Sequence, residues 1–434
     1  MDNAVDKMFQ QLSDEGPILK EGKDVYIKVN AIDNKKHVFT SPEVLDAVIR
    51  KLKELGASKI YVMENSTQGN FTRVVFDITG YAKICKEHGA KPLYLDEEPT
   101  QDFIFKGKPG VETDPADGYF LKKFRLPRTI VRIINDRDNV TYVDLPKLKT
   151  HSMGIITMGI KNQWGFVQQA DRRSDHNYNL HSKLVDVYEL IKPDFTIIDG
   201  LEGTIHDHYP PTALEDQLVK QFNILIGGRD TVAVDAIGAR VFGLTMDEVP
   251  HLKIAHERGL GIADLDQITV QGGSLESYQE VFPTDLLEKF PDDILIVKGK
   301  DLCCREGCQN NPLSVMQVLA EDLHGKGGFF MVMGKGFDAN LVDQLKQQGY
   351  ARGLVAGMCA MNEVGQKLRD AFGKRNVFYS RYCNSLAETS TALFGLMKVN
   401  PLDYFPKEYP KYKILKHFLL AKLHGSKTLI PSIV

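Results

Sequence analysis

Short apolar runs alternate along the chain with longer segments of helical periodicity. In the segment 41–56, Ser41 precedes Pro42 at the first helical position, Gly56 closes the segment, and apolar residues recur every three or four positions. Further helices are predicted over residues 78–89, 182–192 and 231–243. Strand-like runs cover residues 24–30, 59–65, 91–96, 141–146, 194–200, 223–228 and 267–272. Strands separated by helices of this length predict crossover connections, and therefore a mostly parallel, doubly wound α/β sheet.

Two polar segments interrupt this alternation. Residues 98–135 are interpreted as a polar loop region, and the proline-containing stretch 273–293 is interpreted as a domain boundary. Beyond the boundary the alternation resumes, with predicted strands at 293–299, 328–336, 353–360 and 376–382 and helices at 314–325, 339–349 and from about 362. We therefore predict an α/β domain over 1–285, a second, smaller α/β domain over 290–400, and a basic C-terminal segment over 401–434.

Composition and charge narrow the class of protein. The 434 residues favour two or three domains, and the 43% of hydrophobic residues is ordinary for a globular protein. The 54 Lys and Arg are balanced by 57 Asp and Glu, which argues against a nucleic-acid-binding protein. No apolar run reaches the length of a membrane span, and the first sixteen residues lack the features of a signal peptide. A cytoplasmic location is therefore expected.

The C-terminal segment is rich in lysine. The favoured interpretation is a terminal helix that docks on its own domain with its lysines toward water. The alternative is a basic amphipathic helix that contacts a membrane surface or a partner.

A cluster of polar residues follows the predicted strand 141–146. Lys147 and Lys149 alternate, so an extended chain places both on one face, and Lys161 follows a glycine-spaced apolar run. Ligands of parallel sheets bind beyond the carboxyl ends of the strands. We therefore predict a site for a carboxylate or phosphate, although a solvated basic loop would show the same residue types. The candidate catalytic residues are His151, Lys149, Lys161 and Asp199, and the candidate substrate-binding residues are Lys147, Thr150, Asn162 and Asn65.

His151 is the candidate proton donor or acceptor, because the pKa of a histidine side chain lies near neutrality. Asp199, at the end of the predicted strand 194–200, is a candidate to orient His151 or to hold a cation. Two further histidine pairs, 176 with 181 and 206 with 208, are weaker metal-ligand candidates, with Asp199 or Asp207 as the carboxylate ligand, since isolated histidines are usually surface or capping groups.

The run 146–165, the strand end 197–200 and the segment 228–240 together resemble the domain of unknown function 362 family, over roughly residues 24–285. The specific part is Lys-x-Lys-Thr-His with a downstream Lys-Asn-x-x-Gly. The family's recurring positions correspond here to Lys147, Lys149, Thr150, His151, Lys161, Asn162, Gly165, Asp199, Asp230 and Asp235. The resemblance implies little chemistry: members are often bacterial or archaeal, and many carry a ferredoxin-like iron–sulfur segment. This chain lacks the ferredoxin cysteine run, so that module is not expected.

Five of the six cysteines lie in the predicted second domain. They follow three predicted strands, and parallel strands bring their carboxyl ends to one edge of a sheet. Their convergence would suit a [4Fe–4S] cluster, with a structural zinc ion as the alternative. The spacing matches neither a ferredoxin nor a zinc finger, and five unconnected cysteines remain the plain alternative. The candidate metal ligands are Cys303, Cys304, Cys308, Cys359 and Cys383; the sixth, Cys85, is expected to be a buried small hydrophobe.

The leading hypothesis is an iron–sulfur-linked redox protein, an oxidoreductase if it is an enzyme, that binds an anionic small molecule through its Lys/His cleft. An electron-transfer partner would be required. Two alternatives stay open: a metal- or cofactor-dependent isomerase or lyase acting on a carboxylic acid, and a metallocofactor carrier without catalysis.

Overall fold

Two largely parallel sheets organise the chain. The computed structural model describes residues 1–67, 69–105, 123–278, 280–400, 403 and 408–428. Within them, β1 to β3 and β6 to β10 belong to one sheet and β11 to β14 to another, while β4 and β5 form a separate antiparallel pair. The predicted α/β class is confirmed. The strands are β1 (Asp24–Val29), β2 (Lys59–Glu64), β3 (Lys91–Tyr94), β4 (Thr100–Ile104), β5 (Lys123–Pro127), β6 (Val140–Leu145), β7 (Lys147–His151), β8 (Ile155–Ile156), β9 (Phe195–Thr204), β10 (Val219–Gly228), β11 (Ile294–Lys298), β12 (Phe329–Met333), β13 (Gly353–Ala356) and β14 (Val377–Ser380).

Helices cover both faces of each sheet, as expected where crossovers join parallel strands. They are α1 (Asp2–Asp14), α2 (Pro42–Glu54), α3 (Thr72–Ile78), α4 (Tyr81–His88), α5 (Arg128–Asn135), α6 (Gly159–Asn162), α7 (Gln169–Ser174), α8 (Leu180–Leu190), α9 (Glu215–Leu218), α10 (Thr231–Val241), α11 (Pro250–Glu257), α12 (Asn310–Leu323), α13 (Leu341–Gln347), α14 (Met358–Ala360), α15 (Gln366–Phe372), α16 (Leu386–Leu396) and α17 (Lys411–Leu423). None of these described helices is long and apolar enough to cross a bilayer.

The first sheet runs in the order β3-β2-β1-β6-β9, with β6 and β7 forming one interrupted strand beside β9. Its strands are buried on both faces, so their side chains alternate between two cores. In β1, Val25 and Ile27 join the core beneath α1 and α2, whereas Tyr26 joins the core that contains α8 and α10. Lys28 follows Tyr26 by two residues, and this alternation sends its ammonium to the second face, where the candidate site lies.

The second sheet runs β11-β12-β13-β14 with every pair parallel. Its two cores lie on opposite faces, since Phe329 and Met331 of β12 belong to one and Phe330 and Val332 to the other. A parallel sheet places all of its carboxyl ends at one edge, and the segments that carry the five clustered cysteines follow β11, β13 and β14.

Some elements differ from the sequence-based expectations. Residues 267–272 form no strand, and only a 3₁₀ turn at Leu265–Gln267 is present. The side chains beyond this turn are largely exposed. Among the described strands, β10 therefore pairs with β9 alone. The expected loop 98–135 contains β4, β5 and α5, while its residues 106–122 lie outside the described part of the chain. The predicted helix 78–89 is present as α4 but begins at Tyr81, because Gly80 before it adopts a left-handed conformation with φ of 83° and Ile78 ends α3.

The first turn of α12 joins the two sheets. Ser314 donates a hydrogen bond of 2.6 Å to Asp207, and Asn310 donates one of 2.6 Å to the carbonyl of Ser152. Arg305, just before α12, donates to the same carbonyl at 2.8 Å. These contacts are buried or partly buried, so the second sheet is placed directly against the candidate site of the first.

Candidate functional site

A cavity lies beyond the carboxyl ends of β1, β2 and β7, the position where a parallel sheet is expected to bind its ligand. Its volume is about 100 Å³. An apolar cavity of roughly 150 Å³ holds benzene, so this one suits a molecule of only a few heavy atoms. Most of the wall comes from the first sheet, with Asn311 and Leu386 contributed by the second. The polar lining residues are Lys28, Asn30, Glu64, Asn65, Thr67, His151, Thr157, Lys161, Asn162, Arg172, His176, Asn177, His208 and Asn311.

A buried ion pair forms the floor of the cavity. Lys28 lies 2.7 Å from Glu64, and both side chains are almost completely shielded from solvent. Lys28 also donates to Asn162, whose amide donates in turn to Asp144 at 2.7 Å. The absence of a side chain at Gly165 makes room for the pair, because a Cβ there would lie 3.2 Å from both charged groups. The charges of Lys28 and Glu64 therefore cancel each other, and the pair adds no net charge to the cavity.

Other donors of the cavity have no acceptor. Within the described residues, the Lys161 ammonium has no hydrogen-bond or ion-pair partner, and Trp164 Nε1 and Arg172 Nε are buried without one. The pKa of Lys161 is lowered to about 7, mainly by burial and to a lesser extent by the Arg172 charge, while Asp207 opposes the shift. Buried donors without acceptors and an unpaired ammonium make this part of the cavity complementary to an anion.

Lys149 supports the cavity from behind. Its ammonium is completely buried and donates to Asn30 at 2.6 Å and to the carbonyl of Val38 at 2.8 Å. Burial, together with the charges of Lys161 and Lys147, lowers the pKa of Lys149 well below its usual value. Lys149 does not line the cavity; it holds Asn30, which does.

Lys147 is paired with a carboxylate. Its ammonium lies 3.0 Å from Asp199 and 3.1 Å from the hydroxyl of Ser41, and both charged side chains are fully buried. Asp199 also accepts a hydrogen bond from the Ser41 amide at 2.6 Å. Asp199 is thus placed with Lys147, and neither residue lines the cavity that contains His151.

The two remaining candidate binding residues differ in position. Thr150 is buried in β7 and donates to the carbonyl of Thr204 at 3.2 Å, so it serves the sheet. Asn65 lines the cavity and donates to the carbonyl of Val167 at 3.1 Å, while its Oδ1 is buried with no partner among the described residues.

A histidine pair forms another wall. The rings of His151 and His208 stack with centroids 3.9 Å apart and an interplanar angle of 4°. Nδ1 of His151 accepts hydrogen bonds from the amides of Met153 and Gly154, which assigns its proton to Nε2. Nδ1 of His208 lies 2.7 Å from Asp207, so it donates to the carboxylate and leaves Nε2 as an acceptor. One ring therefore presents a donor and its neighbour an acceptor.

This histidine pair fits proton transfer better than metal binding. His151, Asp207 and His208 have ligand atoms within 4.8 Å of one another, close enough for an ion. However, both oxygens of Asp207 already accept hydrogen bonds, one from Ser152 and His208 and the other from Ser314. Burial raises the pKa of Asp207, but these bonds and the His208 charge hold it well below its usual range. The nearby Lys161 and Lys149 charges would also oppose a cation.

The cysteines meet at the carboxyl edge of the second sheet. All six cysteines are described, and none is in a disulfide. Cys308 shares a hydrogen bond with Cys304, and this bond, burial and the neighbouring Cys303 and Cys359 raise its pKa. Burial raises the pKa of Cys383 to about 12, with Asp175 and two other cysteines adding to the shift. Three chain segments thus bring their thiols together in one group.

The cysteine group borders the cavity. Asn177 lines the cavity and donates to the carbonyls of Cys383 and Asn384 at 3.1 and 3.3 Å. Asn311, also on the wall, donates to the carbonyl of Asn384 at 2.7 Å. One layer of side chains therefore separates the loop that carries Cys383 from a molecule in the cavity.

The family described as Domain of unknown function (DUF362) matches residues 25–240. These residues belong to this family. The match covers the first sheet from β1 to α10 and stops before the second sheet, so the cysteine-bearing unit lies outside it.

The geometry explains several of the family's recurring positions. Asp230 caps α10 by accepting hydrogen bonds from the amides of Val232 and Ala233. Asp235 accepts from the amides of Gly159 and Ile160, which fixes the turn that presents Lys161. Burial raises the pKa of Asp235 to about 7, although these two hydrogen bonds oppose the shift.

One curated relative is the thylakoid-associated protein sll1697 of Synechocystis sp.. It is 24% identical over 266 residues, which cover 58% of this chain and 73% of the relative. No solved structure matches the chain. The cytoplasmic location stays a prediction.

Several site residues were missed at the sequence level. Lys28 carried a usable signal, since it is the lone charge inside the apolar run 25–29. Asp207 and His208 were considered only as metal ligands. The roles of Arg172 and of the Asn310 and Asn311 side-chain amides could not be recognised in the sequence, because they depend on contacts between segments far apart in the chain.

Proposed function

We propose that the protein is an iron–sulfur-linked redox protein that binds a small anion in the cavity between its two sheets. The observation that carries this proposal is the adjacency of two features: a coupled group of cysteines and a cavity whose donors lack acceptors. A bound cluster would supply single electrons to the molecule in the cavity. An electron-transfer partner would approach the cluster at Cys304, which is the exposed member of the group.

The spacing of the sulfurs favours a cluster over a zinc ion. Among the described residues, no three cysteine sulfurs lie within 4.8 Å of one another. Zn–S bonds of about 2.3 Å place tetrahedral thiolates roughly 3.8 Å apart. In a [4Fe–4S] cluster each thiolate binds a different iron, so the four sulfurs lie farther apart, and only Cys304 and Cys308 would have to separate from their hydrogen-bonded contact. The residues we assign to the cluster are Cys304, Cys308, Cys359 and Cys383.

The backbone around these cysteines leaves space that side chains would fill. A Cβ on Gly357 would lie 3.2 Å from the Cys308 sulfur, and Gly357 has φ of 90°, a conformation that favours glycine. A Cβ on Gly307 would lie 2.8 Å from the carbonyl of Cys383. Two π-helical turns, Arg305–Gln309 and Met361–Gly365, adjoin the same cysteines, and such turns are frequent at functional sites.

The first sheet supplies the proton chemistry. Lys161 would hold the anion and, with a pKa of about 7, could donate a proton to it. His208, oriented by Asp207, presents an acceptor nitrogen, and His151 presents a donor. Each addition of an electron to an anion raises its basicity, so proton donors beside the cavity are what a reduction requires.

Anaerobic purification tests this proposal. The expected product is brown protein with absorbance near 400 nm and roughly four irons and four sulfides per chain. Fully folded, colourless protein that takes up neither iron nor sulfide on reconstitution would contradict the redox function, while stoichiometric zinc would favour a structural metal.

Anion affinity should fall as pH rises through 7. Lys161 is charged below its pKa of about 7 and neutral above it, so affinity should decrease by up to about tenfold per pH unit between pH 7 and 8.5. Sulfate is the suitable probe, since its own charge is constant over this range, and calorimetry gives the affinity. Lys161→Gln should bind weakly at every pH, whereas the exposed-residue control Lys253→Gln should keep the wild-type profile. A wild-type profile that is flat from pH 6 to 8.5 would assign the site to other groups.

A second candidate function rests on the same proton-transfer residues. The dyad of Asp207 and His208 beside Lys161 is also suited to isomerase or lyase chemistry on a carboxylic acid, with the cysteines in a structural role. Turnover that survives replacement of Cys308 by serine would favour this candidate over the redox function.

A further inference from the structure

The inner face of α17 is fixed to the first unit. Phe418 and Ala421 pack with Phe71, and the two phenyl rings meet edge to face at 5.2 Å. Lys413 pairs with Asp77 of α3 at 3.4 Å. The helix therefore docks on the first α/β domain and not on the second, which precedes it in the chain, and its outer face is held in a defined orientation.

The outer face of α17 carries large apolar side chains in addition to the water-facing lysines expected from the sequence. Tyr412, Leu415, Leu419 and Leu423 are 70%, 58%, 56% and 82% exposed. Their spacing of three, four and four residues places them in one stripe, roughly 16 Å long. Exposed large hydrophobic residues elsewhere among the described residues are scattered along the chain, whereas these four form a continuous surface.

Lysines border this stripe on both sides. At 100° per residue, Lys411 and Lys422 lie on one flank, and Lys413 and Lys416 on the other. Lys411 and Lys416 are exposed. The segment 411–428 contains five lysines and neither aspartate nor glutamate, so its charge is complementary to an anionic surface.

We propose that the outer face of α17 docks the protein on the surface of a bilayer that contains anionic lipids. The stripe would enter the boundary between headgroups and acyl chains, and the two exposed flanking lysines, Lys411 and Lys416, would reach the lipid phosphates. Tyr412, at the start of the stripe, is a residue type enriched at membrane interfaces. A flat bilayer matches a narrow apolar stripe with cations on both sides, and the fixed inner face allows docking without unfolding. The proposal is independent of the redox function.

Flotation of the full-length protein with lipid vesicles tests the docking. Vesicles of phosphatidylcholine with about 30 mol% phosphatidylglycerol should carry the protein at low salt, and pure phosphatidylcholine should carry far less. Leu415→Glu combined with Leu419→Glu should reduce the partition coefficient at least about tenfold. Lys411→Glu combined with Lys416→Glu should reduce binding to anionic vesicles and remove its salt dependence.

The matched control is Val281→Glu, which places the same charge on a side chain that is 69% exposed and remote in sequence from α17. It should bind vesicles like the wild type, and circular dichroism should show all variants folded. Wild-type protein that stays unbound with anionic vesicles at low salt would overturn the proposal. A concentration-dependent dimer that the leucine variants abolish would also overturn it, by assigning the stripe to a second copy of the chain.

Discussion

Replacing Cys308 or Cys359 with serine is expected to eliminate the absorbance near 400 nm and most of the bound iron. Each of these sulfurs belongs to the coupled group at the carboxyl edge of the second sheet, and a cluster that loses one thiolate ligand is destabilised. The measurement is iron, sulfide and absorbance after anaerobic reconstitution. Cys304→Ser and Cys383→Ser should behave in the same way.

Cys303→Ala and Cys85→Ser are the controls for the cysteine prediction. Cys303 packs against the apolar core of the second sheet, and Cys85 is buried in α4, so both variants should retain the cluster. Retained iron in the Cys308 and Cys359 variants, or its loss in the Cys85 variant, would contradict the ligand assignment. Loss in the Cys303 variant alone would exchange the roles of Cys303 and Cys304.

Lys147→Met should destabilise the protein by about 3–5 kcal/mol. Lys147 belongs to the motif for which the sequence predicted substrate binding, but its expected role is structural. The substitution leaves Asp199 as a buried charge without its ammonium partner, and breaking a buried pair from one side costs about this much. Urea denaturation followed by circular dichroism measures the change in the free energy of unfolding.

Lys147→Met combined with Asp199→Asn is the matched control. The asparagine can still accept the hydrogen bond from Ser41 without carrying a charge, so the double variant should lose less stability than the sum of the two single changes. Lys161→Met should cost little or even stabilise the protein, because this side chain is partly buried at the cavity and its ammonium has no partner among the described residues. Equal losses of stability in Lys147→Met and Lys161→Met would contradict the prediction that only the paired lysine, Lys147, is needed for stability.

The strand and helix pattern could be predicted wherever periodicity was strong. The segments that form β1, α2, β2, β6 and β9 were recognisable because each buries its own apolar residues in a short window. The strand predicted at 267–272 was wrong, since local alternation cannot show whether a neighbouring strand is available for pairing. The strand β7 was missed because its lysines looked like a polar loop, and only their burial between other elements explains them.

The sequence alone determined the α/β class, the family, and the positions of the lysine motif and the cysteines after strands, because these follow from spacing along the chain. Tertiary structure decided what each residue does. It placed the carboxylate of Asp199 against Lys147 and left Lys161 without a partner among the described residues. It paired His208 with Asp207. It also brought α12 and Cys383 to the cavity wall. These outcomes depend on which distant side chains share a desolvated volume, and no local pattern contains that information.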